Sequence, residues 1–110
     1  MDAYKVRGGK GTEAKIQERL IEYLKDRGWH VRVIIGVKEQ SGLPDLFICH
    51  CEYGYRWIDV KVAGRYRITP AQRLEWPLLE ANGSGVWILT DATDVEYAKL
   101  FKRCNFQQFF

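Results

Sequence analysis

The chain has 110 residues, which is enough for one domain and too few for two of ordinary size. Any active site must therefore be built into a single core. Apolar residues make up 46% of the sequence, which is typical of a chain that buries a core and excludes a wholly disordered chain. The formal net charge of +3 permits a polyanionic partner without requiring one.

Cysteine usage and the N-terminal segment bear on the cellular compartment. Three cysteines are an odd number and show no framework spacing, which argues against a secreted disulfide scaffold. The first residues lack an apolar signal core, and no apolar run is long enough to span a bilayer. We therefore expect a soluble, cytoplasmic protein.

The chain is predicted to begin with an arm, a helix and a strand. Residues 1–11 are rich in glycine and basic residues and are predicted to form a flexible basic arm, so that the domain itself covers residues 12–110. Thr12 is predicted to be the N-cap of a first helix that ends at Gly28. The β-branched residues that follow predict a strand over residues 29–37.

Two further strands are predicted in the middle of the chain. Residues 38–44 contain a Ser-Gly pair and a proline and are predicted to form a loop. Short apolar runs then predict strands over residues 46–51 and 56–62. The intervening residues 52–55 are a plausible hairpin connection, so the three strands are predicted to form an antiparallel meander.

The second helix has the clearest start signal. Residues 69–72 combine a capping threonine, a proline at the first helical position and a glutamine that can close a capping box. The helix is predicted to reach Gly83 and to be kinked at Pro77. A buried strand over 86–89 and a helix over 95–102 follow. The order α-β-β-β-α-β-α predicts an α/β (α+β) fold with a mixed central sheet flanked by helices.

Two carboxylates stand where strands should be apolar. Asp45 begins the second predicted strand and Asp59 lies in the third, and a buried charge costs several kcal/mol unless it is paired or binds a metal. Asp59 and Lys61 are two residues apart and so share one face of their strand. Asp45 can meet Asp59 across the hairpin, because neighbouring strands lie ~5 Å apart. Two acids at that range repel unless a cation lies between them, and oxygen ligands of this kind suit Mg²⁺ or Mn²⁺.

Ordinary structural roles account for the same residues about equally well at this point. Asp45 can cap a turn, and Asp59 with Lys61 can form an exposed ion pair. A third acid, Glu13, falls on the inward edge of the first helix, where it can serve a site or simply favour the helix N-terminus. Gln72 can act in the site or only in its capping box.

The order of these motifs resembles the PD-(D/E)XK nuclease superfamily. The segments that carry the resemblance are Glu13, Gly42-Leu43-Pro44-Asp45, Asp59-Val60-Lys61 and Thr69-Pro70-Ala71-Gln72. Within the superfamily the chain is similar to the stand-alone VRR-NUC domains of phage and bacterial origin, over roughly residues 12–90. The resemblance implies a restriction-endonuclease-like αβββαβ core. The family often has glutamate where Asp59 stands.

The resemblance also implies an activity and a set of site residues. Asp45 and Asp59 would be metal ligands, together with the backbone carbonyl of Val60 and with Glu13, directly or through water. Lys61 would orient or activate the attacking water, and Gln72 would support the site from the second helix. The implied reaction is Mg²⁺-dependent hydrolysis of DNA phosphodiester bonds, with Mn²⁺ as a substitute. Branched DNA such as four-way (Holliday) junctions and flaps is a candidate substrate, and nicking of duplex DNA or replication-linked trimming are alternatives.

Two other classes of function remain open on the sequence. The chain can be a non-catalytic DNA-binding module with a degenerate nuclease fold, or a small interaction protein whose acids have no chemical role. Basic side chains can contact a phosphate backbone or merely aid solubility; the candidates are Lys10, Lys15, Arg65, Arg67 and Arg73.

Assembly and metal content give two further expectations. Cutting two strands normally requires two sites, so a homodimer is expected, and the aromatic C-terminal tail is a candidate for docking on a second subunit. Cys49-His50-Cys51 invites a zinc interpretation, but strand alternation places His50 opposite the two cysteines, and four ligands are not evident. Structural zinc is therefore not expected.

Overall fold

The computed structural model describes residues 11–35 and 41–110. The helices and strands in chain order are α1 (Thr12–Lys25), β1 (His30–Val33), β2 (Leu46–His50), β3 (Gly54–Val60), α2 (Pro70–Ala81), β4 (Val86–Leu89) and α3 (Asp94–Ala98). Two 3₁₀ turns, Lys99–Phe101 and Phe106–Phe109, follow α3. Within the two described ranges no helix has the length and apolar character that crossing a bilayer requires.

The four strands form one mixed sheet in the order β1-β2-β3-β4. The pairs β1-β2 and β2-β3 are antiparallel, as expected for a meander, whereas β3 and β4 are parallel. Parallel neighbours need a crossover connection, which α2 supplies. The predicted α+β class, with a mixed sheet flanked by helices, is confirmed.

The two faces of the sheet pack against different helices. On one side, here called the α1 face, α1 covers a continuous apolar core that includes Leu46, Ile48, Ile58 and Val60. On the other side, here called the α2 face, a second cluster packs around Trp76, Val86, Ile88 and Phe106. Asp59 pairs in register with Ile88, which places this acid on the α2 face.

The ends of α1 differ from the prediction. Thr12 is not the N-cap: it is the first helical residue, and Gly11 precedes it at the N-cap position without a side-chain cap. The helix starts one residue earlier than predicted because the carbonyl of Gly11 accepts the first helical hydrogen bond, from the N–H of Lys15 at 3.1 Å. The Thr12 hydroxyl accepts a hydrogen bond from Arg65 Nη2 at 3.3 Å. The helix ends at Lys25 and a turn then leads to Gly28, whose φ of 90° lies in the left-handed region.

Three strand and helix boundaries also differ. The predicted strand over 29–37 is regular only in His30–Val33, and residues 36–40 lie outside the described residues, as do residues 1–10 of the predicted arm. The third strand begins two residues earlier than predicted because Gly54, with φ 80°, follows the turn directly. The last predicted helix is α-helical only to Ala98 and continues as a 3₁₀ turn.

The second helix begins as predicted, and the aromatic tail packs on the domain itself. The predicted capping box of α2 is present, with reciprocal hydrogen bonds between Thr69 and Gln72, and the helix continues past Pro77 to Ala81 as one element. The tail folds back on its own chain: Phe106 is only 1% exposed and Phe110 stacks on Trp76 with ring centroids 6.0 Å apart. In this fold the tail therefore contributes to the core.

The approach of α2 to the segment before β2 generates a stability prediction. Gly42 has φ +77°, and an added Cβ would lie 2.5 Å from the carbonyl oxygen of Ala71. We expect Gly42→Ala to lower the free energy of unfolding by about 3 kcal/mol, from backbone strain and overlap together. Gly64→Ala is the matched control, because Gly64 has φ +78° but no atom within 4 Å of its added Cβ. It should cost only about 1 kcal/mol in urea unfolding followed by tryptophan fluorescence. Equal losses in the two variants would contradict the close approach.

Candidate active site

A cleft of about 340 Å³ opens on the α2 face where β2 begins and β3 ends. All five residues predicted to be catalytic line it: Glu13, Asp45, Asp59, Lys61 and Gln72. The remaining lining residues are Leu43, Arg65, Tyr66, Arg67 and Thr69. The fold therefore brings together in one place residues that the sequence distributes over 60 positions, from 13 to 72.

The two aspartates are buried and tied to each other's strands. Asp45 is 6% exposed and Asp59 is 2% exposed. Asp59 Oδ1 accepts a hydrogen bond from the backbone N–H of Asp45 at 3.2 Å, and Asp45 Oδ2 accepts one from the N–H of Val60 at 2.8 Å. Hydrogen bonds to carboxylates are stronger than neutral ones. These two bonds fix both carboxylates at the open end of the β2-β3 hairpin, opposite its turn.

The ammonium of Lys61 is held by three acceptors. Its Nζ lies 3.1 Å from Asp59 Oδ2, and it donates to the backbone carbonyl of Arg67 at 2.9 Å and to Gln72 Oε1 at 3.2 Å. An ammonium group has three N–H donors, so these three acceptors account for all of them. The side chains of Asp59 and Lys61 are 3% and 8% exposed, so the alternative of an exposed surface ion pair is wrong.

Gln72 connects the helix cap with this ammonium. Its Oε1 accepts from the backbone N–H of Thr69 at 3.0 Å and from Lys61 Nζ at 3.2 Å. The Thr69 hydroxyl in turn accepts from the N–H of Gln72 at 3.1 Å. The two explanations offered for Gln72 are therefore compatible, because a single oxygen caps α2 and contacts the site lysine.

Two contacts to the site were not identified from the sequence. Trp76 is fully buried, its ring centroid lies 5.7 Å from Lys61 Nζ, and its Nε1 donates to the carbonyl of Gly42 at 2.8 Å. Its spacing of four residues from Gln72 places both on one face of α2, so the sequence could have predicted that Trp76 lies near the site. The carbonyl of Arg67 gave no signal, because a backbone acceptor has no sequence signature.

The basic residues proposed for DNA contact occupy different places. Arg65 and Arg67 line the cleft, and Lys15 is exposed on α1. Arg73 is not among the lining residues, and its guanidinium carbon lies 5.2 Å from the ring of the last residue of the chain. Lys10 lies outside the described residues. Two of the five candidates therefore stand beside the acids.

The oxygen donors of the cleft suit some metal ions and not others. Within residues 11–35 and 41–110, no three His, Cys, Asp or Glu side chains are grouped so as to hold an ion. Glu13 lines the cleft and is exposed, whereas Asp45 and Asp59 are both buried there and each accepts a backbone hydrogen bond from the other's strand segment. Mg²⁺ typically takes one or two carboxylates and keeps several waters, which this pair fits. A zinc site, which needs three or four protein ligands, does not fit.

The Cys-His-Cys segment has other contacts. His50 Nδ1 accepts a hydrogen bond from the backbone N–H of Glu52 at 3.0 Å, and all three cysteines of the chain are free.

The third cysteine, Cys104, lies elsewhere in the fold. Burial, reinforced by the adjacent Glu80 carboxylate, raises the pKa of the Cys104 thiol above its ordinary value. A thiol that resists deprotonation is a poor nucleophile and a poor ligand.

Comparison with known proteins identifies the fold. No protein-family model matches the chain, and no curated protein matches it. Among the solved structures that match, a protein described as a VRR_NUC domain protein superposes with a TM-score of 0.64 at 19% sequence identity, and the match covers 83% of this chain and 87% of that one. The chain therefore has the fold of a VRR_NUC domain, and the predicted restriction-endonuclease-like core is confirmed.

The shared oxygen of Gln72 gives a prediction that does not depend on activity. We expect Gln72→Leu to lower the free energy of unfolding at pH 7 by about 2 to 3 kcal/mol, because it removes a helix cap and an acceptor of a buried ammonium. Gln72→Glu keeps an acceptor oxygen at the capping-box position and should stay within about 1 kcal/mol of the wild type. Urea unfolding measures both. Equal stability of the two variants would show that this oxygen stabilises nothing.

Proposed function

We propose that this protein is a Mg²⁺-dependent endonuclease that hydrolyses DNA phosphodiester bonds and selects DNA by its structure, cutting branched DNA or nicking duplex DNA. The observation that carries the proposal is the buried group of Asp45, Asp59 and Lys61, which opens into a cleft rimmed by arginines. The VRR_NUC fold supports it. Mn²⁺ is expected to substitute for Mg²⁺.

The energetic cost of the group argues for a chemical role. Two carboxylates and one ammonium carry a formal net charge of −1, and all three are nine-tenths or more buried. Hydrophobic replacement of such buried ionic groups is often neutral or stabilising, so stability alone does not explain why they are present. Buried charges in a cleft are typical of sites that bind ions or perform proton chemistry.

The chemistry of the bond defines what the residues must do. A bound Mg²⁺ would neutralise charge on a phosphate oxygen and lower the pKa of a water molecule. Lys61 supplies a fixed positive charge, held by the carbonyl of Arg67 and by Gln72, that can stabilise charge developing on the phosphate. Because its three protons are already engaged, Lys61 reaches a water or a phosphate oxygen only by exchanging one of its partners.

Substrate and assembly form the second part of the proposal. Arg65 and Arg67 would contact the phosphates next to the cleft, and Lys15 would extend this contact along α1. The described residues form one sheet with its flanking helices and no added recognition domain, so we expect DNA shape to be recognised rather than base sequence. Within residues 11–35 and 41–110, Asp45, Asp59 and Lys61 form a single such group, so cutting both strands of a junction would require a homodimer.

A cleavage assay tests the proposal directly. Labelled four-way junction, flap, nicked and plain duplex DNA are incubated with Mg²⁺, Mn²⁺ or chelator. We expect cleavage that depends on the metal. Asp59→Asn and Lys61→Met should each reduce its rate by about 100-fold or more, because each removes a charge that would bind the metal or stabilise the transition state. Lys25→Met is the matched control, because Lys25 is exposed in the last turn of α1.

Calorimetric titration with Mn²⁺ separates metal binding from catalysis. Asp59→Asn should lose Mn²⁺ binding, while Lys25→Met should retain it, with both variants folded by circular dichroism. Tight DNA binding without cleavage under either metal would exclude the nuclease and leave the non-catalytic binding module.

The arginines at the cleft make a separate prediction about salt. We expect Arg67→Gln to weaken duplex binding at all sequences and to reduce the slope of log K against log salt by about 1, as the loss of one phosphate contact does. The contact of Arg67 with Lys61 is made by its carbonyl, so the variant leaves that contact in place. Arg103→Gln, at a side chain that is 86% exposed beside Glu80, should leave the slope unchanged. An unchanged slope in Arg67→Gln would remove this residue from the DNA contact.

A further inference from the structure

Next to the acids of the cleft, a row of mostly aromatic side chains lies along the α2 face. In the sheet register Arg32 pairs with Phe47 and Phe47 pairs with Trp57, so the three side chains lie in one row across β1, β2 and β3. Tyr55, two residues before Trp57, lies on the same face in the next row. We call these four residues, Arg32, Phe47, Tyr55 and Trp57, the ring platform.

The platform is open because α2 covers only half of this face. The second core cluster packs on β4 and on Trp57 and includes no residue of β1 or β2 within the described ranges. Phe47 is half-buried, Arg32 is exposed and Tyr55 is 46% exposed. The rings contact one another, with centroids 5.0 Å apart for Phe47 and Trp57 and 5.6 Å apart for Phe47 and Tyr55. Aromatic surface is thus held in fixed orientation beside solvent.

The ring platform and the two acids occupy matching positions along β2 and β3. Asp45 and Phe47 are two residues apart on one side of the hairpin, as are Asp59 and Trp57 on the other. Two residues of a strand span about 7 Å, roughly two stacking steps of a nucleic-acid strand. A phosphate over the acids therefore places a base one or two nucleotides away within reach of the rings.

Charge on the platform suits a nucleic-acid strand. The cross-strand rows contain Arg32 and His30, and the residues paired with them in β2 and β3 include no acid. A flat face with rings and a guanidinium resembles the surfaces on which unpaired bases stack. A paired base offers no free face to a ring, because its faces are already stacked in the duplex. The platform therefore matches an unpaired strand better than a duplex.

We propose that the ring platform binds unpaired bases of a DNA strand whose neighbouring phosphate lies at Asp45 and Asp59. This rests on the proposed nuclease function and names its substrate class: DNA that is unpaired next to the bond to be cut. The stacking surface itself requires neither metal nor catalysis.

The test measures binding in chelator, so that no cleavage occurs. A labelled single-stranded oligothymidylate and a duplex of the same length are titrated with wild type, Phe47→Leu and Tyr55→Leu by fluorescence anisotropy. We expect each variant to weaken single-strand binding about five-fold or more, since stacking is worth ~1–3 kcal/mol per base, and to change duplex binding less than about two-fold. The control is Phe101→Leu, a ring that is 45% exposed and packs on Tyr53 and Tyr97 instead.

Each remaining outcome decides the proposal. Single-strand binding that is unchanged in both Phe47→Leu and Tyr55→Leu would overturn it, as would an equal loss in Phe101→Leu. Self-association that these two variants abolish, without single-strand binding by the wild type, would assign the platform to a second copy of the chain and also overturn it. Should only Phe47→Leu unfold, the more exposed Tyr55→Leu carries the test. Platform binding without any metal-dependent cleavage would support this inference while the nuclease proposal fails.

Discussion

A buried ammonium costs several kcal/mol unless its donors are filled, and Lys61 meets this requirement with acceptors from three separate parts of the chain. They are a carboxylate on β3, a backbone carbonyl in the following loop and the side chain of Gln72 in the first turn of α2. Strand, loop and helix are consequently fixed relative to one another by a single nitrogen. A shift of any one of them would leave a donor unpaired in a poorly solvated place.

The same helix also positions the second acid-bearing segment. Trp76 approaches Lys61 with its ring and donates from its indole nitrogen to the carbonyl of Gly42, three residues before Asp45. Gly42 accepts this close contact because it has no Cβ and adopts a positive φ. One turn of α2 separates Gln72 from Trp76, so consecutive turns of one helix hold the lysine and the loop that carries Asp45. The geometry of the acids is therefore a property of how α2 packs.

Features that depend on local periodicity were predictable, and features that depend on distant partners were not. A spacing of two residues predicted that Asp59 and Lys61 share one face, and the structure pairs them, although β3 ends at Val60 and Lys61 is the residue that follows it. The third partner of Lys61 is the carbonyl of Arg67, and a backbone group carries no sequence signal. The N-cap prediction for Thr12 was wrong by one residue, because the carbonyl of Gly11 already accepts the first helical hydrogen bond, from the N–H of Lys15. A glycine gives no side-chain capping signal, so the residue rule selected the nearby threonine instead.

The division of the sheet into two unequal faces explains how a buried charge group can also face a substrate. The α1 face is covered across the whole core, whereas α2, with 12 residues, spans only ~18 Å and packs on the β3-β4 half of the other face. Asp45 and Asp59 lie at the boundary of that cover. Toward α2 they have the low dielectric that strengthens contact with Lys61, and on their other side the cleft opens between Glu13 and the loop that carries Arg65 and Arg67. A site deeper under the helix would be closed to a polyanion, and one further out would lose the helix that holds its lysine.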